Sequence, residues 1–390
     1  MATTISNKVR FYHSKMEGAP ALAGLAGSLI SVLDACLVNG FGNKAVDSIA
    51  VTGGIAVAQI SAGHTFTEGD VLRINGATPV RLNGDWRLAS VTASSVTWSV
   101  EGCGIDDGPA TGSISALRAP AGWEKVFASG TTRAAYRSLS HASHNGLFLY
   151  VDDTTETAAK AMGYETMVDI DTGGGGFPPT SQRTENWWGK SVTESPLARE
   201  WFFVADDKRF TYSPVANASF PKARQFSFGL LQHAEGRDLW ATFINGGAGP
   251  AAANAYNVTA PDYGDLAYAH DPSTTYAGSF ARDASGTASV AARVGFANPS
   301  RALTGGEALP SDTLNEYSPP IVGSVLLTDS NYVSRGLFPS VAASYFLYSP
   351  STTPRGSVSG VPGNGVCLLY SGAGTTNAFF LHLGVDGRWD

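Results

Sequence analysis

The stretch that most constrains the fold runs over residues 46–119, where short apolar runs alternate with turn signals. Six segments carry a period-2 or β-branched pattern: 48–51, 55–60, 70–74, 84–91, 95–100 and 112–117. They are separated by Gly53-Gly54, Glu68-Gly69, Asn75-Gly76, Asn83-Gly84 and Gly108-Pro109. Short strands joined by glycine-containing turns predict a small antiparallel β-sandwich or barrel.

The composition predicts that the rest of the chain is also mainly β. The 390 residues are 43% hydrophobic, which is enough for two or three domains with their own cores. Charged residues make up only 15%, below the usual quarter, and 45 glycines are present. This balance favours a loop-rich β protein with a neutral-polar surface, as in proteins that pack against neighbours. We expect a larger β-rich body over residues 120–390, with a further split near 245–290.

Charge and cysteine content narrow the function classes. The net charge is −7, from 33 acidic and 26 basic residues, and the basic residues are scattered. A nucleic-acid-binding surface needs a concentrated positive stripe, so we expect no nucleic-acid partner. Cys36, Cys103 and Cys367 form no CxxC pair. They therefore predict neither a disulfide framework nor a structural zinc site, but buried thiols of a protein that folds inside the cell.

Residues 1–45 are expected to form an N-terminal segment with one amphipathic helix over 19–38. Its apolar face would carry Leu22, Leu25, Leu29 and Val32, at three- and four-residue spacing. Small residues at 23, 24 and 27 would allow close approach, so this face is a candidate subunit contact. Whether it packs on its own domain or on a neighbour stays open. Asp34 and the long polar leader argue against a signal peptide, and Asp34 and several glycines against a membrane span.

Beyond a hinge at residues 119–123, strand patterns recur up to residue 383. Residues 146–152 give the clearest of these, and residues 155–162 suggest a short helix. Glycines 173–176, followed by Phe177-Pro178-Pro179, predict a loop that no regular element crosses.

Two sets of residues carry a resemblance to a known protein class. The hairpin Thr65-Phe66-Thr67-Glu68-Gly69-Asp70, with Arg73-Ile74-Asn75-Gly76-Ala77 and Leu82-Asn83-Gly84-Asp85-Trp86, resembles a small β-domain of structural proteins in tailed bacteriophages. The continuation through Tyr136-Arg137-Ser138, Tyr150-Val151-Asp152-Asp153 and Gly163-Tyr164-Glu165-Thr166-Met167 is similar to virion proteins encoded among tail or baseplate genes. The resemblance covers roughly residues 1–210.

This resemblance implies a virion component with no catalytic motif to carry over. Together with the composition, it leads us to expect a symmetric oligomer in the tail, baseplate or tail tip, assembled in the bacterial cytoplasm. Its partners would be copies of itself and other virion proteins. A capsid-attached decoration or fibre protein is one alternative, and a module that binds host surface glycans is another.

Several histidine and acidic residues could have a catalytic or metal-binding role, or an ordinary structural one. His141 and His144 could ligate a metal with Asp152, Asp153 or Asp169, but their segment has the pattern of a turn. Glu165, Asp169 and Asp171 would share one face of a strand over 164–171 and could serve glycoside hydrolysis, although acids on a solvent-facing strand are common. The sequence contains no GxSxG, HExxH or P-loop motif. We therefore expect no enzyme activity, metal or cofactor.

Tryptophans give the remaining candidate site. Trp187, Trp188 and Trp201, near Phe202 and Tyr212, could form a platform on which sugar rings stack. Aromatic residues at strand spacing more often fill a core, and that interpretation is favoured here.

Overall fold

The computed structural model describes residues 9–140, 146–179, 186–217, 226–231, 234, 238, 240–247, 276–294, 325–329, 333–338, 341–347, 365–371 and 377–384. The protein is mainly β, with a large curled antiparallel sheet and one short helix, which confirms the expected fold class.

The N-terminal segment, residues 9–40, begins with two short strands, β1 (Arg10–His13) and β2 (Leu22–Gly24). Helix α1 (Ser28–Leu33) follows and continues directly as a π-helix (Asp34–Asn39). The helix expected over residues 19–38 is therefore wrong in its first part. Leu22 lies in a strand because it pairs with Arg199, far along the chain, and Gly27 adopts a left-handed φ of 79° immediately before α1.

The small sandwich, residues 41–118, contains nine strands and one 3-10 turn (Val80–Leu82). Its strands are β3 (Phe41–Val46), β4 (Ser48–Thr52), β5 (Ile55–Gln59), β6 (Val71–Asn75), β7 (Gly84–Arg87), β8 (Ser90–Val91), β9 (Ser95–Ser99), β10 (Gly108–Pro109) and β11 (Ile114–Arg118). They form two antiparallel sheets, in the orders β10-β4-β5-β9-β8 and β3-β11-β6-β7. The expected sandwich of short strands is thus present.

An independent core holds the two sheets of the small sandwich together. Trp98 lies at its centre with no exposed surface and stacks on Trp86, with ring centroids 6.3 Å apart. The turn at Gly76 needs glycine, because φ is +75° and a Cβ there would lie 2.1 Å from the Ser113 carbonyl oxygen. In the small sandwich, the alternation of apolar residues and the positions of the turn residues therefore both fit the observed strands.

The body follows, and its described strands are numbered in chain order: β12 (Trp123–Ser129), β13 (Arg133–Ser138), β14 (Phe148–Asp152), β15 (Ala158–Tyr164), β16 (Thr166–Met167), β17 (Gly173–Gly174), β18 (Trp187–Gly189), β19 (Ser195–Arg199), β20 (Trp201–Ala205), β21 (Arg209–Pro214), β22 (Phe226–Leu230), β23 (Thr242–Gly247), β24 (Tyr276–Phe280), β25 (Val290–Val294), β26 (Val325–Asp329), β27 (Ser334–Phe338), β28 (Val341–Leu347), β29 (Gly365–Ser371) and β30 (Asn377–Gly384). Residues 158–164 form a strand where a short helix was suggested at 155–162, because this segment pairs with both β14 and β18.

The large sheet has the order β1-β20-β21-β22-β23-β18-β15-β14-β13-β12, and β24 to β27 continue from β23. It curls, so that its two ends approach each other. Trp123 of β12 donates its Nε1–H to the carbonyl of Asp206, between β20 and β21, at 2.9 Å, and packs edge-on against Phe210. A separate sheet has the order β28-β30-β29.

The N-terminal segment is part of the body and not a domain of its own. Strand β1 pairs with β20, β2 pairs with β19, and α1 contributes Leu29, Val32 and Leu33 to the main core. The small sandwich is therefore inserted between two parts of one β unit. The expected boundary near 245–290 does not divide the body either, because β23, β24 and β25, which span this range, pair with one another in succession.

Candidate functional site

The three tryptophans do not form a platform. Trp188 and Trp201 have no exposed surface and belong to the main core, while Trp187 is half-buried. Trp188 packs edge-on against Phe210 at 5.8 Å and donates its Nε1–H to the Asn245 carbonyl at 2.7 Å. Trp187 is only partly buried: its ring packs against the main core and lies beneath the Lys160 ammonium group, which is 5.4 Å from the ring centroid. The interpretation of these residues as core therefore holds for Trp188 and Trp201.

The apolar residues proposed as a subunit contact pack inside their own chain. Leu22, Leu29 and Val32 have no exposed surface, and Leu25 alone of the four is exposed, at 42%. Leu22 belongs to β2 and the other buried pair to α1, so the four residues do not share one helix face. The described geometry therefore leaves no apolar helix face here for a neighbouring subunit.

The candidate acidic residues Glu165, Asp169 and Asp171 are dispersed. His141 and His144 lie outside the described residues. Asp169 accepts a hydrogen bond from the Asp171 backbone N–H in a turn, Asp171 pairs with Arg133, and Glu165 pairs with Arg282. Strand β15 ends at Tyr164, and β16 covers only Thr166–Met167 of the predicted strand over 164–171, so the three acids do not share one strand face. Among the described residues, no group of three or more His, Cys, Asp or Glu side chains could hold a metal ion.

A buried ion pair joins the N-terminal segment to the large sheet. Asp153 directly follows β14, and Lys190 directly follows β18; strand β15 lies between these two strands. Lys190 Nζ contacts Asp153 Oδ1, and neither side chain has exposed surface. Asp153 Oδ2 accepts hydrogen bonds from the backbone N–H groups of Leu29 (2.8 Å) and Ile30 (3.1 Å). We call Asp153 and Lys190 the junction pair.

Both members of the junction pair are completely hydrogen-bonded. Besides Asp153, Lys190 Nζ donates to the carbonyl oxygens of Leu25 and Thr155, each at 2.8 Å. An ammonium group has three N–H donors, so each finds an acceptor. The junction pair therefore fixes the start of α1 through contacts to residues 25, 29 and 30 at once.

Burial dominates the protonation chemistry of the junction pair. Burial raises the pKa of Asp153 to about 6, against the opposing effect of the Lys190 charge and hydrogen bonds. Burial also lowers the pKa of Lys190, which the Asp153 charge partly offsets. Removal from water thus shifts both groups toward their neutral forms, although their attraction keeps them together.

A second set of polar contacts fixes the π-helix to the other end of the curled sheet. Asp34 accepts hydrogen bonds from the Tyr136 hydroxyl (2.8 Å) and from Lys125 Nζ (2.7 Å). Backbone N–H groups of Ala121 and Gly122 donate to the carbonyls of Cys36 and Leu37. Asp34, which interrupts the apolar pattern in the sequence, is therefore an anchoring residue.

Charged side chains also join the small sandwich to the body. Arg10 of β1 and Arg73 of β6 both bind Asp85 of β7, at 2.7 Å each. Burial alone would raise the pKa of Asp85, but the Arg73 hydrogen bonds and the Arg10 charge together lower it below its ordinary value. The Tyr12 hydroxyl donates to the Ala119 carbonyl at 2.6 Å, so the chain leaving the sandwich is held by the same strand.

Arg118 also joins the small sandwich to the N-terminal segment, from a buried position. Arg118 is only 2% exposed. Its Nε lies 3.6 Å from Asp70 Oδ2, and its guanidinium carbon lies 4.9 Å from the centre of the Phe66 ring. It donates to the Thr65 carbonyl at 2.8 Å and to the Glu17 carbonyl at 3.3 Å. Because Glu17 belongs to the N-terminal segment, one buried cation connects the two units.

The sequence alone did not predict these polar contacts, because the residues that form them do not stand out in the local sequence pattern. Asp153 and Lys190 lie 37 residues apart, and each follows an ordinary strand pattern. The two groups meet only through sheet pairing. The one local signal is weak: Asp153 and Lys190 are charged residues that each stand directly after a strand.

No protein-family model matches the chain, and comparison with curated proteins finds no significant match. Within the described residues, none of the helices has the length and apolar character needed to cross a membrane.

Proposed function

We propose that this protein is a structural component of a tailed-phage particle, located in the tail, baseplate or tail tip and present as a symmetric oligomer. The observation that carries the proposal is the joint between the small sandwich and the body, which several polar side chains form. A structural subunit must present its surfaces at fixed relative positions, because symmetric assembly repeats the same contacts in every copy.

Arg118, Tyr12 and the Arg10–Asp85–Arg73 group provide this fixed geometry. They connect the sandwich to the body by contacts from β1, β6, β7 and the chain after β11, and not by a single linker. The low charged fraction of the sequence, 15%, also suits a surface that packs against neighbouring subunits.

Phage particles purified from infected cells provide the test. Peptides of this chain should be present in intact particles, with a copy number that is a small multiple per particle, as for tail parts. Particles made when the gene carries an early stop codon should lack complete tails. A copy number in the hundreds would instead favour a capsid-attached decoration protein. Absence of the chain from purified particles would contradict a structural role.

A further inference from the structure

We propose that the junction pair reacts with itself after folding, forming an intramolecular amide bond between Lys190 Nζ and Asp153 Cγ. This bond would covalently tie the end of β14 to the end of β18, across the strand between them. The proposal does not rest on the assembly role, since it concerns only the interior of one folded chain.

Position is the first argument. The amine and the carboxyl group are in direct contact, and both side chains are completely removed from solvent. A reaction between groups held together in this way is effectively unimolecular, which removes the entropic cost of bringing the reactants together. Water, which would reverse the reaction, is excluded from the same site.

The orientation of the amine is the second argument. Two of the Lys190 N–H bonds point to the carbonyl oxygens of Leu25 and Thr155, and the third points to Asp153 Oδ1. When the third proton moves to Oδ1, the neutral nitrogen keeps its lone pair on the side of the carboxyl group, facing Oδ1, and has only to turn toward the adjacent Cγ to attack it. The burial that raises the pKa of Asp153 and lowers the pKa of Lys190 favours this transfer.

Stabilisation of the developing negative charge is the third argument. Attack of Nζ on Cγ places negative charge on Oδ2, which already accepts the N–H groups of Leu29 and Ile30. Paired backbone donors on the oxygen that becomes negative are the arrangement that stabilises tetrahedral intermediates in acyl transfer.

The step balances without any further reactant. The Nζ–Cγ bond forms, a second proton passes from Nζ to the protonated Oδ1, and the Cγ–Oδ1 bond breaks to release one water molecule. The product amide keeps one N–H for either the Leu25 or the Thr155 carbonyl, and its Oδ2 keeps both backbone donors. A neutral amide replaces two buried charges, which removes the desolvation cost of the pair.

The intact mass of the purified, unfolded full-length chain tests the proposal. We expect a mass lower than that of the sequence by one water molecule. Lys190→Arg and Asp153→Ala should each have the full mass expected for their sequences. Lys125→Arg provides the matched control: Lys125 also contacts an aspartate, Asp34, but both side chains are 24% exposed, so this variant should keep the deficit of the parent chain.

Peptide mapping decides the question even if the two junction variants fail to fold. Trypsin should leave residues 138–160 joined to residues 184–199 as one branched peptide, because an acylated Lys190 is not cleaved. Full mass for the unmodified chain, with separate peptides 138–160 and 184–190, would overturn the proposal. A water-loss deficit located at any other pair of residues would overturn it as well.

Discussion

The small sandwich and the N-terminal segment are held in place by different forces. The sandwich surrounds a core of its own, in which Trp98, Ile49 and Val96 are completely buried and which both of its sheets share. The N-terminal segment has apolar residues in the main core as well, but a buried ion pair more than a hundred residues away fixes the start of its helix. A separate hydrophobic core thus forms one unit, while buried polar contacts position the other.

Of the substitutions proposed here, removal of the Lys190 charge should lower the free energy of unfolding most, because it breaks the polar contacts that position the N-terminal segment. Lys190→Met leaves Asp153 buried without its counter-charge and also prevents the proposed amide bond. Loss of one partner of a buried pair typically costs about 3–5 kcal/mol. Calorimetry should show a lower melting temperature for the body.

Lys125→Met is the control for this comparison. Its partner Asp34 is partly exposed, so the expected loss is about 1 kcal/mol or less. Equal losses in the two variants would show that burial of the junction pair does not determine the stability of the body.

A single added methyl group should damage the small sandwich. Gly76→Ala forces a side chain into a left-handed conformation and against the Ser113 carbonyl, at an expected cost of about 1–3 kcal/mol. Hydrogen exchange should become faster in β6 and β11, which flank this contact, and stay unchanged in β20 and β21. Gly53→Ala, at a turn with open space around it, is the control for the steric part of the effect.

Substitution at the joint between the small sandwich and the body should lower the free energy of unfolding less. Arg73→Met removes two hydrogen bonds to Asp85 but leaves Arg10 in place, and Arg73 is 37% exposed. We expect a loss of about 1 kcal/mol. The measurement is the rate of limited proteolysis around residue 119, compared with that of Arg81→Met, whose side chain bonds the Gly104 carbonyl and does not contact Asp85. Identical rates in the two variants would contradict the assigned role of Asp85.

The smallest expected effect is the pH dependence of this joint. The pKa of Asp85 is below its ordinary value of 3.8 in the folded protein, so the ionised form is favoured by folding. Its contribution to the free energy of unfolding is therefore present above pH about 4 and is lost as the pH falls further. The stability difference between the parent protein and Asp85→Asn should shrink over this range. A difference that grows on acidification would contradict the pKa assignment.

The same contrast explains which parts of the fold the sequence could predict. In the small sandwich, Gly53-Gly54 lies between β4 and β5, Asn75-Gly76 lies at the end of β6 and Asn83-Gly84 at the start of β7, because turn residues and alternation act over a few positions. Over residues 19–38, the apolar spacing indicated one helix. The pairing of Leu22 with Arg199 and the approach of Gly24 to the Thr193 carbonyl converted its first part into a strand and a turn.

The candidate sites were harder to predict for a related reason. Trp188 and Trp187 are adjacent, and only the strand pairing of the whole sheet decides that Trp188 is completely buried while Trp187 packs at the edge of the core. The alanines at 158, 159 and 161 favour a helix locally, yet they pack in the main core from a strand that pairs on both sides. Local propensity is weak compared with such pairing.

Hydrogen exchange of the full-length protein tests the central claim most directly, namely that the N-terminal segment is locked into the body by the junction pair. The amides of Leu29 and Ile30, which bind Asp153, should exchange as slowly as those of β20 and β21 and should open together with them. Fast exchange at residues 28–39, while the large sheet stays protected, would contradict the account.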